Sequence, residues 1–335
     1  MISPPMRSAS ARASADFPLQ VGPATITNGA GLPLPDGTAI APGMSYVLTL
    51  IAARDATTLT PAVIDAVRDA TGGGNTPRIL SPGEAAEFFV PDAPDLAAAR
   101  AALQTAPIDV IATRSRGRRR GLLIADMDST IVTSETLDDL AVFAGVGEKI
   151  AAITAQSMNG EIDFREALRA RVAMLKGLDL GALDRTWAQT QLTPGAKILV
   201  ATMTKHGALT ALVSGGFTFF SSRVAAACGF ARHRANILLD NGSALTGLLA
   251  EPILDRDAKR DALDEFAAQR GVRVQATLAV GDGANDLAML QAAGLGIAFH
   301  AKPIVTAQIT NRIDHADLRA LLFAQGYTGA DFVTG

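Results

Sequence analysis

"LLIADMDSTIV", residues 122–132, opens on four apolar or small residues and then sets Asp126 and Asp128 two positions apart, with Ser129 and Thr130 directly behind. A short, nearly continuous apolar run is what a parallel strand covered on both faces requires. Carboxylates at the mouth of such a strand are costly unless they are paired, hydrogen-bonded or held by a metal. The stretch therefore asks for a counter-charge elsewhere in the chain.

The same pattern returns in "ALTALVS" (208–214), "TLAVGD" (277–282) and "LGIAF" (295–299), with helical segments between. Alternation of this kind predicts an α/β fold with a doubly wound, parallel, Rossmann-like sheet. Between the first two strands lies a largely helical insertion, about 134–192, which is expected to form a cap over the carboxyl end of the first strand. Three polar clusters stand where apolar strands stop: Asp126 to Asp128, Ser214-Gly215-Gly216, and Asp282 to Asp286 in "GDGAND". In open α/β sheets the ligand crevice lies outside the carboxyl ends of the strands, so the three are expected to converge. Residues i and i+2 of an extended backbone face one side, which pairs Asp126 with Asp128. Oxygen ligands without His or Cys suggest Mg²⁺ with room for a phosphate, and a glycine-flanked serine before a helix start suits phosphate oxygens.

A carboxylate approaching a phosphate monoester meets roughly 4 kcal/mol of repulsion per unit-charge pair at 4 Å and an effective dielectric near 20. Positive charge must therefore be close. Lys259 in "DRDAKRDALDEF" is the candidate, near the start of a predicted helix and on one face with Leu263 and Phe266; a surface lysine lying along that face is the alternative.

The totals bound the rest. At 335 residues, 48% hydrophobic and 19% charged, the chain has material for about two domains with a real core. A net charge of −3 argues against a protein built mainly to bind nucleic acid. The single cysteine, Cys228, reads as a small buried apolar residue. No apolar run approaches a membrane span. Residues 1–44, rich in Pro, Gly and Ala, read as a disordered tail; the first twenty are also compatible with a transit sequence, and without an apolar signal core the protein is expected to be intracellular and cytoplasmic. Residues 45–113 form a small α+β unit, with strands at "YVLTLIAA", "AAEFFV" and "IDVIATRS" and helices at "TPAVIDAVRDATGGG" and "DLAAARAALQTA", compatible with a ferredoxin-like sandwich. "RSRGRRR" (114–120) reads as a solvated basic linker.

In this order "DMDST", "VSGGF", "DAK" and "GDGAND" resemble the four motifs of haloacid dehalogenase-type phosphohydrolases, over about 121–320 of a domain expected to span 121–325. Within that superfamily "GEIDFREALRARVAMLKG" (160–177) and "GLGIAFHAKP" (294–303) are similar to the phosphoserine phosphatases. The resemblance implies Mg²⁺-dependent hydrolysis of O-phosphoserine, the last step of serine biosynthesis, through an aspartyl phosphate. It makes Asp126 the nucleophile and Asp128 the general acid and base. It places the metal on Asp126, the Asp128 carbonyl and Asp282, with Asp286 behind them. Ser214, Gly215, Lys259 and Asn285 would hold the phosphoryl group. In the cap, Phe164, Leu168, Arg171 and Leu175 are spaced four, three and four apart; Arg171 would meet the substrate carboxylate, Glu135 its ammonium, and Met158 and Phe164 would wall the pocket. The N-terminal unit loosely resembles the amino-acid-sensing or degenerate regulatory modules such enzymes carry, through which a homodimer is conceivable. The rival readings are a phosphotransferase of the same fold, a phosphatase for phosphothreonine or phosphohomoserine, an aspartyl-phosphate signalling module and an amino-acid sensor.

Overall fold

The computed structural model describes residues 7–8, 45–158 and 162–334. Strand β1 (Arg7–Ser8) pairs antiparallel with a later hairpin; the remainder of the expectation for residues 1–44 lies outside the described residues. The N-terminal unit follows as β2 (Tyr46–Ala52), α1 (Pro61–Ala70), β3 (Arg78–Ser81), β4 (Ala85–Val90), α2 (Leu96–Leu103) and β5 (Ile108–Arg114). Its strands form an antiparallel sheet in the order β3-β4-β2-β5. Helix α1 begins as its residues dictate: the Thr60 hydroxyl accepts from Val63 N, and Pro61 takes the first helical position. One strand, β3, has no counterpart in the sequence reading; it is only four residues long.

The second, larger sheet starts with β6 (Leu122–Ala125). The chain then enters a cap of α3 (Thr136–Phe143), α4 (Gly147–Met158), α5 (Phe164–Ala173) and α6 (Gly181–Gln189). A bridge between Val132 and Leu192 closes the two ends of this insertion. The sheet resumes with α7 (Ala196–Lys205), β7 (Leu209–Phe217), α8 (Thr218–Cys228) and β8 (Arg232–Asn236). A hairpin, β9 (Leu238–Asp240) with β10 (Leu245–Leu249), then turns back to the cap, where Gly177 N donates to Leu245 O and Leu245 N to Leu178 O. The hairpin and β8, like β3, have no counterpart in the sequence reading. The chain ends with α9 (Arg256–Arg270), β11 (Thr277–Gly281), α10 (Leu287–Ala292), β12 (Leu295–Phe299), α11 (Pro303–Thr306), β13 (Arg312–Ile313) and α12 (Ala320–Ala324).

The six-stranded sheet runs β13-β12-β11-β6-β7-β8, every pair parallel. Alternate side chains divide between two cores. Leu123, Ala125, Leu212, Leu278 and Val280 face α7, α8 and the C-terminal segment. Leu122, Ile124, Ala211, Val213 and Ala279 face α9 and α10, through Ala262, Leu263, Phe266, Met289 and Leu290. Strand order reverses between β6 and β11, which fixes the crevice there.

The two units share a core: Ile51, Leu80, Ala85 and Ile111 of the N-terminal sheet lie in one cluster with Leu318 to Ala324. Polar groups lock the same seam. The Asp109 carboxylate accepts from the backbone N–H groups of Asp314, His315 and Ala316, and the Asn311 amide pairs with both backbone groups of Ala112 at 2.9 and 3.0 Å. The solvated reading of 114–120 is corrected here for its last three arginines. Glu87 on β4 is wholly buried, and a buried carboxylate needs a partner. Arg118, also buried, supplies it at 2.7 Å; Arg119 lies over the Tyr327 ring at 4.1 Å and Arg120 donates to Gln275 O at 2.6 Å. Arg114 and Arg116 remain exposed.

Arg118→Ala should therefore destabilise the fold by about 3–5 kcal/mol, because Glu87 stays buried without its nearest partner. Urea unfolding checks this, and the double substitution Glu87→Leu with Arg118→Met should recover most of the loss.

Candidate active site

Strand β6 delivers Asp126 to the crevice, and the chain then turns tightly: Val132 N donates back to Met127 O, and Ser129 takes a positive φ of 53°. That conformation is unusual for a residue with a side chain. It sends Asp128 toward the cap. Strand β11 ends at Gly281, where a Cβ would stand 2.4 Å from Asp286 Cγ, so only glycine lets the Asp286 carboxylate fold back. The result is a group of three buried acids, Asp126, Asp282 and Asp286, each offering an oxygen within 4.8 Å of the others.

Their counter-charge is Lys259. It occupies the first turns of α9, buried with Ala262, Leu263 and Phe266, and its Nζ lies 2.7 Å from both Asp126 Oδ1 and Asp286 Oδ1. Burial at 2% exposure removes the surface alternative. Desolvation works against the ammonium, but Asp126 and Asp286 outweigh it and hold it charged, its pKa raised. One lysine does not balance three acids. Burial, then Asp286, push the Asp126 carboxyl well up despite Lys259, and burial with Asp286 pushes Asp282 up to about 6 although Lys302 lies 3.5 Å away. This surplus of negative charge on hard oxygens fits a metal cation. Asp286 already uses one oxygen on Lys259 and the other on Gly283 N, whereas Asp126 keeps one oxygen outside its contacts with Lys259 and Met127 N, and Asp282 has only long contacts to Thr130 and Lys302 at 3.5 Å. Asp126 and Asp282 are the acids with oxygens to spare.

Asp128 is held differently. One oxygen accepts from Thr136 N at 2.9 Å, the first residue of α3, and the other from Ser214 Oγ at 3.1 Å. Burial and the nearby Glu135 push its carboxyl up to about 6. Ser214 stands on a bulge: β7 and β8 are in register at Val213–Arg234 and again at Phe217–Asn236, so Ser214, Gly215 and Gly216 face Ala235 alone. Bulges re-aim side chains and backbone groups beside sites. A Cβ on Gly216 would come within 2.8 Å of Asp128 Oδ2, so the residue is small by necessity. The polar cluster thus interrupts its strand, where the sequence reading had it following the strand.

From the cap, Phe164 reaches the bulge, its Cζ 3.4 Å from the position a Gly215 Cβ would take. Glu135, at the start of α3, accepts from Ser129 Oγ at 2.8 Å. Arg171 is half-buried on α5, donating to Ala167 O and Thr154 Oγ1. Burial lowers its pKa, opposed by the charges of Asp138 and Glu135. Asn285 is half-buried in the single turn Ala284–Asp286. Met158 closes α4, and its side chain, expected on the pocket wall, lies outside the described residues. Two charged neighbours were missed. Lys302 sits in the quoted stretch "HAKP" and is tied to Asp282 by backbone as well, its N donating to Asp282 O. Asp138 follows Glu135 by three, one helical turn, a spacing that could have flagged it.

Comparison with known proteins places this geometry. A phosphoserine phosphatase of Streptomyces coelicolor is 39% identical over 273 residues, 78% of this chain and 66% of that protein, so the chain spans just under two thirds of its length. A phosphoserine phosphatase of Streptococcus thermophilus is 44% identical over 199 residues, 59% of this chain and 93% of that protein. Among solved structures, a phospho-aspartyl intermediate analogue of phosphoserine phosphatase is similar at 36% identity and a TM-score of 0.58, covering 61% of this chain and 98% of that one. The family model for the haloacid dehalogenase-like hydrolases matches residues 123–291, from the strand that bears Asp126 through the loop that bears Asp282, and this chain belongs to that family.

Proposed function

We propose that the chain is a phosphoserine phosphatase that hydrolyses O-phosphoserine to serine and phosphate through a phosphorylated Asp126. The observation that carries this reading is Lys259 Nζ at 2.7 Å from Asp126, with Asp128 held two residues on by Thr136 N and Ser214 Oγ. The relatives named above point to the same substrate.

The Asp126 carboxylate attacks phosphorus, and the bond from phosphorus to the serine oxygen breaks. Lys259 and the N–H groups of the Ser214–Gly215 bulge receive the phosphoryl oxygens, lowering a repulsion of several kcal/mol. Asp128 in its neutral form gives its proton to the leaving serine oxygen; its raised pKa keeps that form available. The carboxylate then takes a proton from water, which attacks phosphorus and restores Asp126. A divalent cation, which we assign as Mg²⁺, would be held by Asp126, Asp282 and the Asp128 backbone carbonyl with Asp286 behind, and supplies further positive charge when bound. Glu135 takes the ammonium of the substrate and Arg171 its carboxylate, while Phe164 closes the apolar side. No helix among the described residues is long and apolar enough to cross a membrane; we place the enzyme in the cytoplasm as a step of serine biosynthesis.

Asp126→Asn should cut phosphate release from phosphoserine by about 10³-fold or more; turnover near wild type would remove the residue from its role. For Arg171→Ala, KM for phosphoserine should rise roughly 10- to 100-fold, the worth of a charge-assisted hydrogen bond, with little change for an aryl phosphate lacking the amino-acid part. Steady-state kinetics on both substrates decides between recognition and structure.

Acid Asp128 donates only while protonated, so kcat/KM falls as pH rises through its pKa. Glu135 is one cause of the upward shift. Glu135→Gln removes a like charge and should move that limb toward lower pH, read from the pH profile of kcat/KM; a limb that stays or moves upward would contradict the assignment.

A further inference from the structure

We infer that Asn236 is a positioning residue of the phosphoryl site, its buried amide fixing the Ser214–Gly215 bulge against the start of the helix that carries Lys259. The inference rests on the reading of these two elements as the phosphoryl cradle.

Asn236 ends β8 and is 2% exposed. Its Nδ2 donates to Gly215 O at 2.8 Å and to Leu254 O at 3.4 Å, and its Oδ1 accepts from Leu254 N at 2.8 Å. The orientation of the amide is set by its partners, since a backbone N–H can only donate and a carbonyl can only accept. All of its chief contacts reach outside its own strand.

The need for such a side chain follows from the bulge. The ladder between β7 and β8 is broken between Val213 and Phe217, which leaves Gly215 out of register with any residue of β8. Its part-buried carbonyl still calls for a partner, because a backbone oxygen withdrawn from water and left unpaired costs about as much as a lost hydrogen bond. Asn236 is the residue opposite Phe217 where register resumes, and its side chain serves in place of the missing strand bond. With that carbonyl turned back toward β8, the bulge keeps its outward shape, and Ser214 stays within 3.1 Å of Asp128.

The other half of the amide fixes Leu254. The next residue, Asp255, caps α9 by accepting from Asp257 N and Ala258 N, at 3.0 and 3.1 Å. Lys259 follows one turn later and reaches Asp126 and Asp286. A single side chain therefore sets the spacing between the two parts of the molecule that grip one phosphoryl group. Positioning errors of this kind weaken binding of the group itself, because both parts must meet the same oxygens.

The test is direct binding of inorganic phosphate, in the presence of Mg²⁺, to the full chain and to Asn236→Ala and Asn236→Asp, by titration calorimetry well below each thermal midpoint. Kd for phosphate should rise about tenfold or more in both variants, the worth of one to two hydrogen bonds. Asn236→Asp keeps an acceptor for Leu254 N but loses the donor to Gly215 and buries a carboxylate against its carbonyl, so its thermal midpoint should fall at least as far as that of the alanine variant. If neither variant folds, Asn236→Ser, which keeps a neutral hydroxyl but cannot reach both Gly215 and Leu254, carries the test alone, with the same rise in Kd expected. A Kd within about twofold of wild type, or a wild type that binds no phosphate, overturns the inference. Phosphate release from phosphoserine by the wild type is scored separately. Phosphate binding that depends on Asn236, without turnover of phosphoserine, would sink the proposed substrate and leave this inference standing.

Discussion

The contact on which the rest of the molecule depends is the buried ammonium of Lys259 between Asp126 and Asp286. A carboxylate at the end of an all-apolar strand is sustainable only because this charge is brought to it by a helix from 133 residues away. The pairing is incomplete by construction, since Asp282 joins the same group and its carboxyl is driven up by burial and by Asp286. A fully neutralised cluster would have no use for a cation. The residual imbalance is what fits the pocket to one, and on the proposed function the lysine together with that cation would keep the acids from expelling a dianionic phosphate.

Topology makes this convergence cheap. The sheet reverses order between β6 and β11, so the strand ends that carry Asp126 and Asp282 are neighbours without any long loop between them. Strand β7 flanks β6 on the other side and contributes through an irregularity. Three residues of β7 bulge out opposite one of β8, and that extra length is what carries Ser214 to Asp128. The glycines in this region answer close approaches, as Gly216 does beside the Asp128 carboxylate and Gly281 beside that of Asp286.

Much of this was legible in the sequence, for a physical reason. Strands buried on both faces must be apolar throughout, so a polar residue that ends such a run announces either a loop or a site; four such runs in one domain exposed the doubly wound sheet, and the polar clusters that end three of them exposed Asp126, Asp128, Ser214, Asp282 and Asp286. Lys259 was legible because the acids required it. The bulge was not, because a broken ladder depends on register with a partner strand, and nothing local in "ALVSGGF" distinguishes it from a strand followed by a turn. Nor was the burial of Arg118 to Arg120, since five arginines in seven residues look solvated until Glu87 is found at the bottom of another sheet. The hairpin of β9 and β10 was lost for the same cause: its Leu238 and Leu245 are buried in one cluster with Leu175 and other residues of the cap, contacts distant in sequence.

The cap and the lysine helix are also joined on the outside of the site. Arg165 and Arg169 on α5 reach across to Asp255 at 2.6 Å and Glu251 at 2.7 Å. Exposed pairs of this kind contribute little to stability, roughly 0–1 kcal/mol each. Their place matters more than their strength, because Asp255 is the residue that caps α9 and the helix α5 also bears Phe164 and Arg171. A cap that lifts must release Asp255 from Arg165, while Asp255 continues to bond the first N–H groups of α9. On the proposed function, the lysine side of the cradle is held through Asp255 and Asn236, while the residues assigned to substrate selection lie on the cap. Such a division would let the cap admit an amino acid and discharge it without disturbing the charges assigned to phosphate, which is the order of events a covalent phosphoryl intermediate imposes.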